Sequence, residues 1–433
     1  MSPALTGLAG IALLFLMFFS RMPVAYCMAF VGFIGFSAVV SFQSGLNLVA
    51  RDVYDVFSSY GLTVIPLFIL MGQFAFNAGI SRKLYDTAYK FVGKTPGGLA
   101  MATVCACSAF GAVCGSSPAT AATMATVGLP EMKRYGYGDE LAAGSVASGG
   151  SLGMLMPPSV VLIVYGIMTE QSIGRLFIAG VVPAFLITAC FMAVIFFYAR
   201  IFPDQSPGGE VFSTREKLAS LADMGETLGV FILVMGGLFL GWFTPTEAGG
   251  VGAMGTLALT VARRTMTWAK FVKSLYETLR TSCMVLLLIT GATIFGHFLA
   301  VTRIPFSLAA WVSGVSMPPA LIIGLIVLIY LIGGCFIDAL ALIMLTIPIF
   351  YPIVMDLGYD PVWFGIIITL ATQMGVITPP VGINVYVVSG VAKDIPLEKI
   401  FKGALPFLLA LVFGTVVLLA FPDFVLWLPD LMY

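Results

Sequence analysis

The chain has 433 residues, of which 60% are hydrophobic and 10% are charged, and its mean hydropathy is +1.04. This composition excludes a soluble globular domain, and repeated apolar runs of about 18 residues or more indicate many transmembrane helices in a lipid bilayer. Basic and acidic residues both number 21, so the net charge is zero and gives no reason to expect a nucleic-acid partner.

The N-terminal region contains three apolar runs. The first, residues 4–20, has neither a basic flank nor a small-residue cleavage site, so we expect a retained span rather than a cleaved signal peptide. Only Arg21 separates it from the second run, residues 22–42, which predicts a tight helical hairpin. A polar stretch at 43–60 is expected at the surface, before a third span at 62–80.

Small and polar residues interrupt the next apolar stretch. Residues 81–96 are basic and amphipathic, which is typical of an interfacial arm helix. The stretch after them, residues 97–132, is broken halfway by Gly-Ser-Ser-Pro-Ala-Thr at 115–120. Such residues are tolerated at membrane depth only where they line a cavity or contact other protein, so we expect one or the other here.

A second long run, residues 139–169, is expected to form a discontinuous helix. It is interrupted by Ser-Gly-Gly-Ser at 148–151 and by the doublet Pro157-Pro158, which removes two backbone donors. A polar loop at 202–226 divides the chain into two halves, and Thr-Pro-Thr-Glu at 244–247 predicts a capped helix start. Three spans lie around them, at residues 174–200, 228–243 and 248–261.

The second half repeats this plan. It begins with a second basic amphipathic segment at 263–280. The broken apolar stretch 318–353 places Asp338 among hydrophobic residues, and the run 361–391 contains a second Pro-Pro doublet. A last span is expected at 401–426.

An offset of 222 residues superimposes the two halves without a gap. The matched positions are Gly111 and Gly333, Pro130 and Pro352, Gly136-Tyr137 and Gly358-Tyr359, Gly153 and Gly375, and Pro157-Pro158 and Pro379-Pro380. Single glycine or proline matches arise by chance, but two doublets in one register indicate an internal duplication. The same offset matches Ser116 with Asp338.

Lysine and arginine predict the orientation in the membrane. If each broken stretch enters and leaves on one side as a re-entrant hairpin, 18 of the 21 basic residues fall on the cytoplasmic side, all but Arg51, Arg175 and Arg303. We therefore expect an all-α integral membrane protein with inverted-topology repeats, ten full spans and two re-entrant hairpins with discontinuous helices. Both termini are expected on the outer side.

The breaks also predict chemistry. Broken helices expose carbonyls that can coordinate a small hard cation, and the N-termini of half-helices favour a carboxylate. Hydroxyls, carbonyls and one carboxylate form an oxygen-only ligand set, which suits Na⁺ better than a transition metal. The first predicted site contains Ser116, Ser117, Gly149, Gly150, Ser151, Gly153 and Pro157. The second contains Gly333, Gly334, Asp338, Gly375, Thr378 and Pro379.

Several candidates have an ordinary structural explanation as well. For Ser117, close packing and ligation are equally open. An intramembrane carboxylate costs roughly 2.5–3.5 kcal/mol on insertion scales, which favours a functional role for Asp338. Asn384 and Arg303 are candidates for a substrate carboxylate, although snorkelling is the more ordinary explanation of Arg303. His297, the only histidine, is interpreted as a hydrogen-bonded packing residue rather than a proton carrier.

These motifs together resemble the large membrane subunit of tripartite ATP-independent periplasmic (TRAP) transporters, the DctM-like family of the ion transporter superfamily. The resemblance covers essentially the whole chain. It is carried by residues 110–111 and 115–120, 149–153, 157–159, 244–248, Asp338 with Pro348 and Pro352, and 377–382.

The resemblance implies sodium-coupled import of an organic acid across the bacterial inner membrane by an elevator mechanism, with Na⁺ as coupling ion and no cofactor. It also implies a small four-helix membrane subunit (DctQ-like), expected as a separate chain, and a soluble periplasmic substrate-binding protein (DctP-like). The transport domain would contain residues 97–169 and 318–392. The other segments would be scaffold spans 1–80 and 170–262, a scaffold span with an outer loop at 281–317, arm helices 81–96 and 263–280, and a C-terminal span at 393–433.

Two alternatives were weighed against this function. The first is a stand-alone Na⁺- or H⁺-coupled carboxylate symporter or antiporter of the same superfamily. The second, an intramembrane enzyme, is disfavoured because the sequence has one histidine and no nucleophile–base or metal-ligand motif at membrane depth.

Overall fold

The computed structural model describes residues 2–18, 20, 22–314 and 317–432, and within them the chain forms twenty α-helices and no strand. Arg21, the residue predicted to turn the first hairpin, lies outside the described residues. In chain order the helices are α1 (Pro3–Phe18), α2 (Val24–Val39), α3 (Phe42–Ser58), α4 (Val64–Asn77), α5 (Ile80–Val92), α6 (Gly98–Cys114), α7 (Ser117–Arg134), α8 (Asp139–Ser151), α9 (Val160–Met168), α10 (Ile173–Ile201), α11 (Thr214–Phe239), α12 (Pro245–Ala262), α13 (Trp268–Thr302), α14 (Ile304–Gly314), α15 (Pro319–Gly334), α16 (Ala339–Asp356), α17 (Pro361–Gly375), α18 (Ile383–Val391), α19 (Leu397–Ala420) and α20 (Asp423–Met432).

The helices confirm an all-α chain with several segments that could cross a bilayer. Among the described residues, five helical segments are long and apolar enough to cross a membrane, and five shorter apolar helices have 10–17 residues. A sixth crossing segment is added if the two parts of α11, which meet at 61°, count as one span. The expected number of ten full spans stays a prediction.

The internal duplication is visible in the helix boundaries. At the offset of 222 residues, α7 coincides with α16 at both ends, and α8 and α17 begin at matched positions. Both Pro-Pro doublets contain a cis peptide bond, and the matched residues Gly136 and Gly358 both have positive φ, at 78° and 81°. The two halves therefore share backbone conformation as well as sequence.

The arm helices pair differently from the expectation. The two basic segments, 81–96 and 263–280, look equivalent in sequence, but the offset matches α5 with α14 and matches α3 with the first part of α13. In the first half α3 and the following span α4 are separate helices, whereas in the second half the matched segments both belong to the 35-residue helix α13. The division predicted near residue 280 therefore falls inside one continuous helix and stays a prediction.

Three segments predicted to be loops or surface stretches are helical. The loop at 202–226 already contains the start of α11, because the Ser213 hydroxyl accepts a hydrogen bond from the Glu216 amide while the Glu216 carboxylate accepts one from the Ser213 amide. The polar stretch at 43–60 is α3, which the Ser41 hydroxyl caps. The outer loop expected before residue 317 contains α14. Side-chain caps supply the hydrogen bonds that a helix start lacks, so polar sequences can begin helices.

A hydrogen bond joins matched positions of α8 and α17. Gln373 donates a hydrogen bond of 2.9 Å from Nε2 to Ser151 Oγ, and both residues are fully buried. These two positions are 222 apart, so each contacts its own counterpart. Contact between equivalent positions occurs only near the axis that relates the halves.

One ion pair lies at the start of α8 and another at the start of α17. Asp139 at the start of α8 lies 2.8 Å from the Lys399 ammonium at the start of α19. Asp360 caps α17 and lies 3.9 Å from the Arg175 guanidinium at the start of α10. Since α8 matches α17 and α19 matches α10, the two pairs are approximate equivalents under the duplication.

Candidate functional site

The first hairpin tip joins α6 to α7 through Gly115 and Ser116. Gly115 has φ of 63°, and a Cβ atom there would lie 2.6 Å from the Pro158 carbonyl oxygen, so both conformation and space require glycine. Ser116 is extended and precedes α7 without forming a side-chain cap. The tip is therefore a two-residue break with its first-turn amides uncapped by a side chain.

The second tip joins α15 to α16 and contains Asp338. Its carboxylate caps α16 by accepting a hydrogen bond of 3.0 Å from the Leu340 amide. The position matched with Ser116 thus supplies a carboxylate to its own helix N-terminus, where negative charge is favourable.

The first broken helix is interrupted later in the chain than the sequence predicts. α8 stays helical through Ser151, so Gly149 and Gly150 lie inside the helix and the predicted break at 148–151 is wrong. A Cβ atom at Gly150 would lie 2.6 Å from the Ala121 Cβ, and one at Gly149 would lie 3.0 Å from the Cys107 sulfur. These two glycines thus permit close helix packing, and the interruption falls between α8 and α9.

Each tip contacts the interruption of its own half. The Val160 amide approaches the Gly115 carbonyl oxygen at 3.5 Å, and the Val381 amide donates to the Cys335 carbonyl at 3.2 Å. The matched glycines of the broken helices contact the same tips: a Cβ atom on Gly153 would lie 2.9 Å from the Ser116 oxygen, and one on Gly375 would lie 2.8 Å from the Gly334 oxygen. Predicted members of each site are therefore neighbours.

Both tips line one cavity of about 170 Å³. Ser116 and Ser117 of the first tip and Asp338 of the second contribute polar groups to its wall. α4 and α13 also form part of the wall and contribute Gln73 and Thr281. Lysine, arginine and histidine do not occur among the described residues that line this cavity, whose remaining wall is mostly apolar.

Asn384, expected as a carboxylate-binding candidate, connects the two halves. It is fully buried, accepts a hydrogen bond of 2.9 Å from the Ser117 hydroxyl, and donates one of 2.9 Å to the Ala147 carbonyl. Its amide oxygen and nitrogen are thus bonded to the first tip and to α8. The structure places Asn384 between protein groups, one residue beyond Ile383 at the cavity wall.

The remaining candidates lie outside the cavity wall. Arg303 is exposed at the C-terminal cap of α13. Pro157 lines a separate apolar cavity of about 390 Å³ between α6, α10 and α11. Thr378 donates from its hydroxyl to the Met374 carbonyl at 2.7 Å. Gly333 packs against Leu342, and Pro379 is exposed in the interruption after α17.

His297 is hydrogen-bonded, as expected of a packing histidine. Its Nδ1 lies 2.8 Å from a carboxylate oxygen of Asp52, which is only 3% exposed. The pair joins α3 to α13, away from the residues that line the cavity. It therefore contributes to the packing of these two helices.

Gln73 and Thr281 are not among the site residues predicted from the sequence. Gln73 is a polar residue within an apolar span, and that signal was available because such residues often bond across helices or line a cavity. Thr281 has no comparable signal, since threonines are scattered along α13.

Comparison with known proteins agrees with these features. Residues 11–424 match the family model described as the tripartite ATP-independent periplasmic transporter, DctM component. The chain is 38% identical over 382 residues to the C4-dicarboxylate TRAP transporter large permease protein DctM of Pseudomonas aeruginosa, which covers 88% of this chain and 89% of that protein. It is 34% identical to the sialic acid TRAP transporter large permease protein SiaM of Vibrio cholerae, over 95% of this chain and 96% of that protein.

The fold also resembles solved transporter structures. The YdaH transporter of Alcanivorax borkumensis superimposes with a TM-score of 0.61 at 13% identity, over 89% of this chain and 90% of that one. MtrF of Neisseria gonorrhoeae gives 0.56 at 15% identity, over 88% and 83%. At such identities the likeness concerns the fold alone.

The relatives are permeases, and the apolar helices make this chain a multi-pass membrane protein. Its match to the family model is nearly complete in length. The chain therefore belongs to the DctM family, the large permease component of tripartite ATP-independent periplasmic transporters.

Proposed function

We propose that this chain imports a small organic acid across the bacterial inner membrane, coupled to Na⁺, by an elevator movement of the tips and broken helices against a scaffold. The observation that supports this best is the cavity. Two tips from different halves of the chain line this cavity together with α4 and α13. Discontinuous helices that converge on one cavity are the usual construction of a transport site.

The substrate carboxylate is assigned to the N-terminus of α7. Its first-turn amides have no side-chain cap, whereas Asp338 caps the matched helix α16. An uncapped N-terminus with partial positive charge stabilises a negative group. With no cation among the described lining residues, this N-terminus and bound Na⁺ would compensate the substrate's charge.

Na⁺ would bind where tips and interruptions touch. The contacts of Gly153 with the Ser116 oxygen and of Gly375 with the Gly334 oxygen bring backbone oxygens together in both halves. Hard oxygen ligands suit Na⁺. Asp338 adds negative charge at the second tip, which would favour a cation there.

The moving body would be held together across the two halves. The hydrogen bonds of Asn384 to Ser117 and Ala147, and of Gln373 to Ser151, join α7, α8, α17 and α18. We include α10 and α19 in this body, unlike the division expected from sequence. The reason for α19 is its backbone contact with α8, where a Cβ atom on Gly403 would lie 1.8 Å from the Glu140 oxygen and leave no space for sliding.

The names of the relatives support the substrate class and the partners. The two relatives compared above are named for C4-dicarboxylates and sialic acid, which are organic acids, and for TRAP transporters. We propose that this chain likewise acts with a small membrane subunit and a periplasmic binding protein, with both of its termini in the periplasm.

Uptake in proteoliposomes tests the proposal. The complete transporter would be reconstituted and driven by an inward Na⁺ gradient. We expect Asp338→Asn to lower Na⁺-dependent uptake at least about tenfold, because one charge-assisted contact contributes about 1.5–3 kcal/mol. Asp356→Asn, at the far end of the same helix, is the matched control and should leave the rate unchanged. Uptake without a Na⁺ gradient, or wild-type rates in Asp338→Asn, would reject the proposal.

A further inference from the structure

Two polar residues of the proposed scaffold line the same cavity as the tips. Gln73 lies on α4 and Thr281 on α13, and both share this cavity with Ser116 and Asp338. α4 approaches the first tip closely, since a Cβ atom on Gly72 would lie 3.0 Å from the Cys114 Cα. Gln73 and Thr281 therefore lie where the proposed scaffold helices α4 and α13 adjoin the tips.

The fold uses the backbone of Gln73 but not its side chain. Its carbonyl oxygen accepts hydrogen bonds from Asn77 Nδ2 at 3.0 Å and from the Ser274 hydroxyl at 3.3 Å. These bonds fix α4 against α13 at this level. Within the described part of the chain, the side-chain amide of Gln73 has no hydrogen-bond partner.

Thr281 differs in the same way from the other threonines of its helix. The hydroxyls of the other four donate hydrogen bonds of 2.7–2.9 Å to carbonyls of the preceding turn. These four residues are Thr278, Thr290, Thr293 and Thr302. The Thr281 hydroxyl forms no such bond to any described residue. A polar group left unpaired beside an apolar wall is costly unless a ligand or water pairs with it.

We infer that Gln73 and Thr281 bind an uncharged hydrogen-bonding group of the substrate, such as a hydroxyl, keto or amide group, while its carboxylate lies at the N-terminus of α7. This inference rests on the proposed function. An amide and a hydroxyl each donate and accept hydrogen bonds without carrying charge, so they complement a neutral polar group better than a second carboxylate. The substrate would thus contact scaffold and tips at once, and the scaffold would determine which acids are accepted.

The test compares acids that differ by one hydroxyl. The complete transporter is assayed in proteoliposomes with malate and succinate and with lactate and propionate. We expect Thr281→Val and Gln73→Leu to lower the ratio of kcat/KM for the hydroxylated acid to that for its partner by about tenfold, the effect of one unpaired hydrogen-bonding group. Thr293→Val, whose wild-type hydroxyl bonds its own helix, is the matched control and should keep the ratio.

Two further measurements separate the possible failures. Thr281→Ser retains the hydroxyl and should keep the wild-type ratio, and Na⁺-dependent thermal stabilisation should be equal in all these variants, since none alters a proposed Na⁺ ligand. Ratios within about twofold of wild type in both Thr281→Val and Gln73→Leu, with stabilisation intact, overturn the inference alone. Uptake by the wild-type transporter that does not depend on Na⁺ overturns the proposed function itself.

Discussion

Gln373 and Ser151 form a hydrogen bond between matched positions of the two halves. Both are fully buried, so neither can be paired by bulk water if its partner is removed. We expect Ser151→Ala to destabilise the protein by about 1–3 kcal/mol, because the Gln373 amide then loses its partner. The double variant Ser151→Ala/Gln373→Leu should recover most of this loss. Thermal unfolding in detergent measures both, and strictly additive effects would contradict the direct coupling.

Gly375 is a second residue whose surroundings leave no space for a side chain. A Cβ atom there would lie 2.4–2.5 Å from the backbone of Gly334, which cannot rotate away. We expect Gly375→Ala to cost about 1–3 kcal/mol or more through overpacking and to reduce uptake by displacing the second tip. Gly324→Ala on α15 is the control, because its surroundings are open and alanine favours helix. Unchanged melting temperature in Gly375→Ala would contradict the close contact.

Residues differ in how far their roles could be predicted. Asp338 was recognised because a carboxylate among hydrophobes is costly, and the structure places it at the cavity. Gly149 and Gly150 were misplaced because glycine permits both a break and close packing, and only the neighbouring helices decide between them. Asn384 is bonded to groups 267 and 237 residues away, which no local pattern contains.

At the scale of helices, caps explain both successes and errors. The helix start predicted at 244–247 is confirmed, because Thr244 and Glu247 form a reciprocal capping box. The start of α11 uses the same device with Ser213 and Glu216, but it lies inside a polar stretch without apolar periodicity. Polar helices lack the periodic signal on which sequence-based assignment depends.

The end of α7 is tied to the segment between α18 and α19 by an exposed ion pair. The Lys133 ammonium donates to Asp394 and holds the pKa of that carboxyl below its ordinary value. A lowered pKa stabilises the fold above the unfolded-state pKa, and this contribution is lost as pH falls through the folded-state value.

We therefore expect Lys133→Met to lower the melting temperature at pH 7 by about 1–2 °C, a small effect because the pair is exposed. The difference from wild type should shrink as pH falls from the ordinary aspartate pKa through the lowered folded-state value. Lys393→Met, beside the same carboxyl in sequence but without an ion-pair partner in the described residues, should show no pH-dependent difference. A difference of the same size at every pH down to acid unfolding would show that Lys133 acts by packing instead.

For the whole molecule, the elevator proposal predicts that scaffold and moving body must separate. A Cβ atom on Gly296 of α13 would lie 3.7 Å from Pro348 of α16, across the proposed boundary. In a background without the native cysteines, cross-linking Gly296→Cys to Pro348→Cys should abolish Na⁺-dependent uptake, and reduction should restore it.

The matched control lies inside the moving body. Asp139→Cys with Lys399→Cys replaces the ion pair between α8 and α19, and cross-linking there should leave uptake at no less than about half of the wild-type rate. Full uptake in the cross-linked 296–348 variant would exclude movement at that boundary.

The overall duplication could be predicted because glycine and proline mark positions that the backbone requires, and these positions match in one register. The equivalence of α3 with the start of α13 could not, because the matched segments differ in charge and the chain turns between α3 and α4 but not within α13. Side-chain composition on a lipid- or water-facing surface is weakly constrained, so it diverges while the backbone plan persists.

The bond between Ser151 and Gln373 also bears on how many substrate molecules the site accepts. In a homodimer of identical half-length chains, the residue on the axis would meet its own copy, and every helix N-terminus would occur twice in the same chemical state. In this single chain the matched positions carry unlike residues, Ser151 and Gln373 and likewise Ser116 and Asp338. The Asp338 carboxylate caps the N-terminus of α16, whereas the matched N-terminus of α7 has no side-chain cap. A symmetric arrangement would present two equal places for an anion, whereas the proposed site presents one.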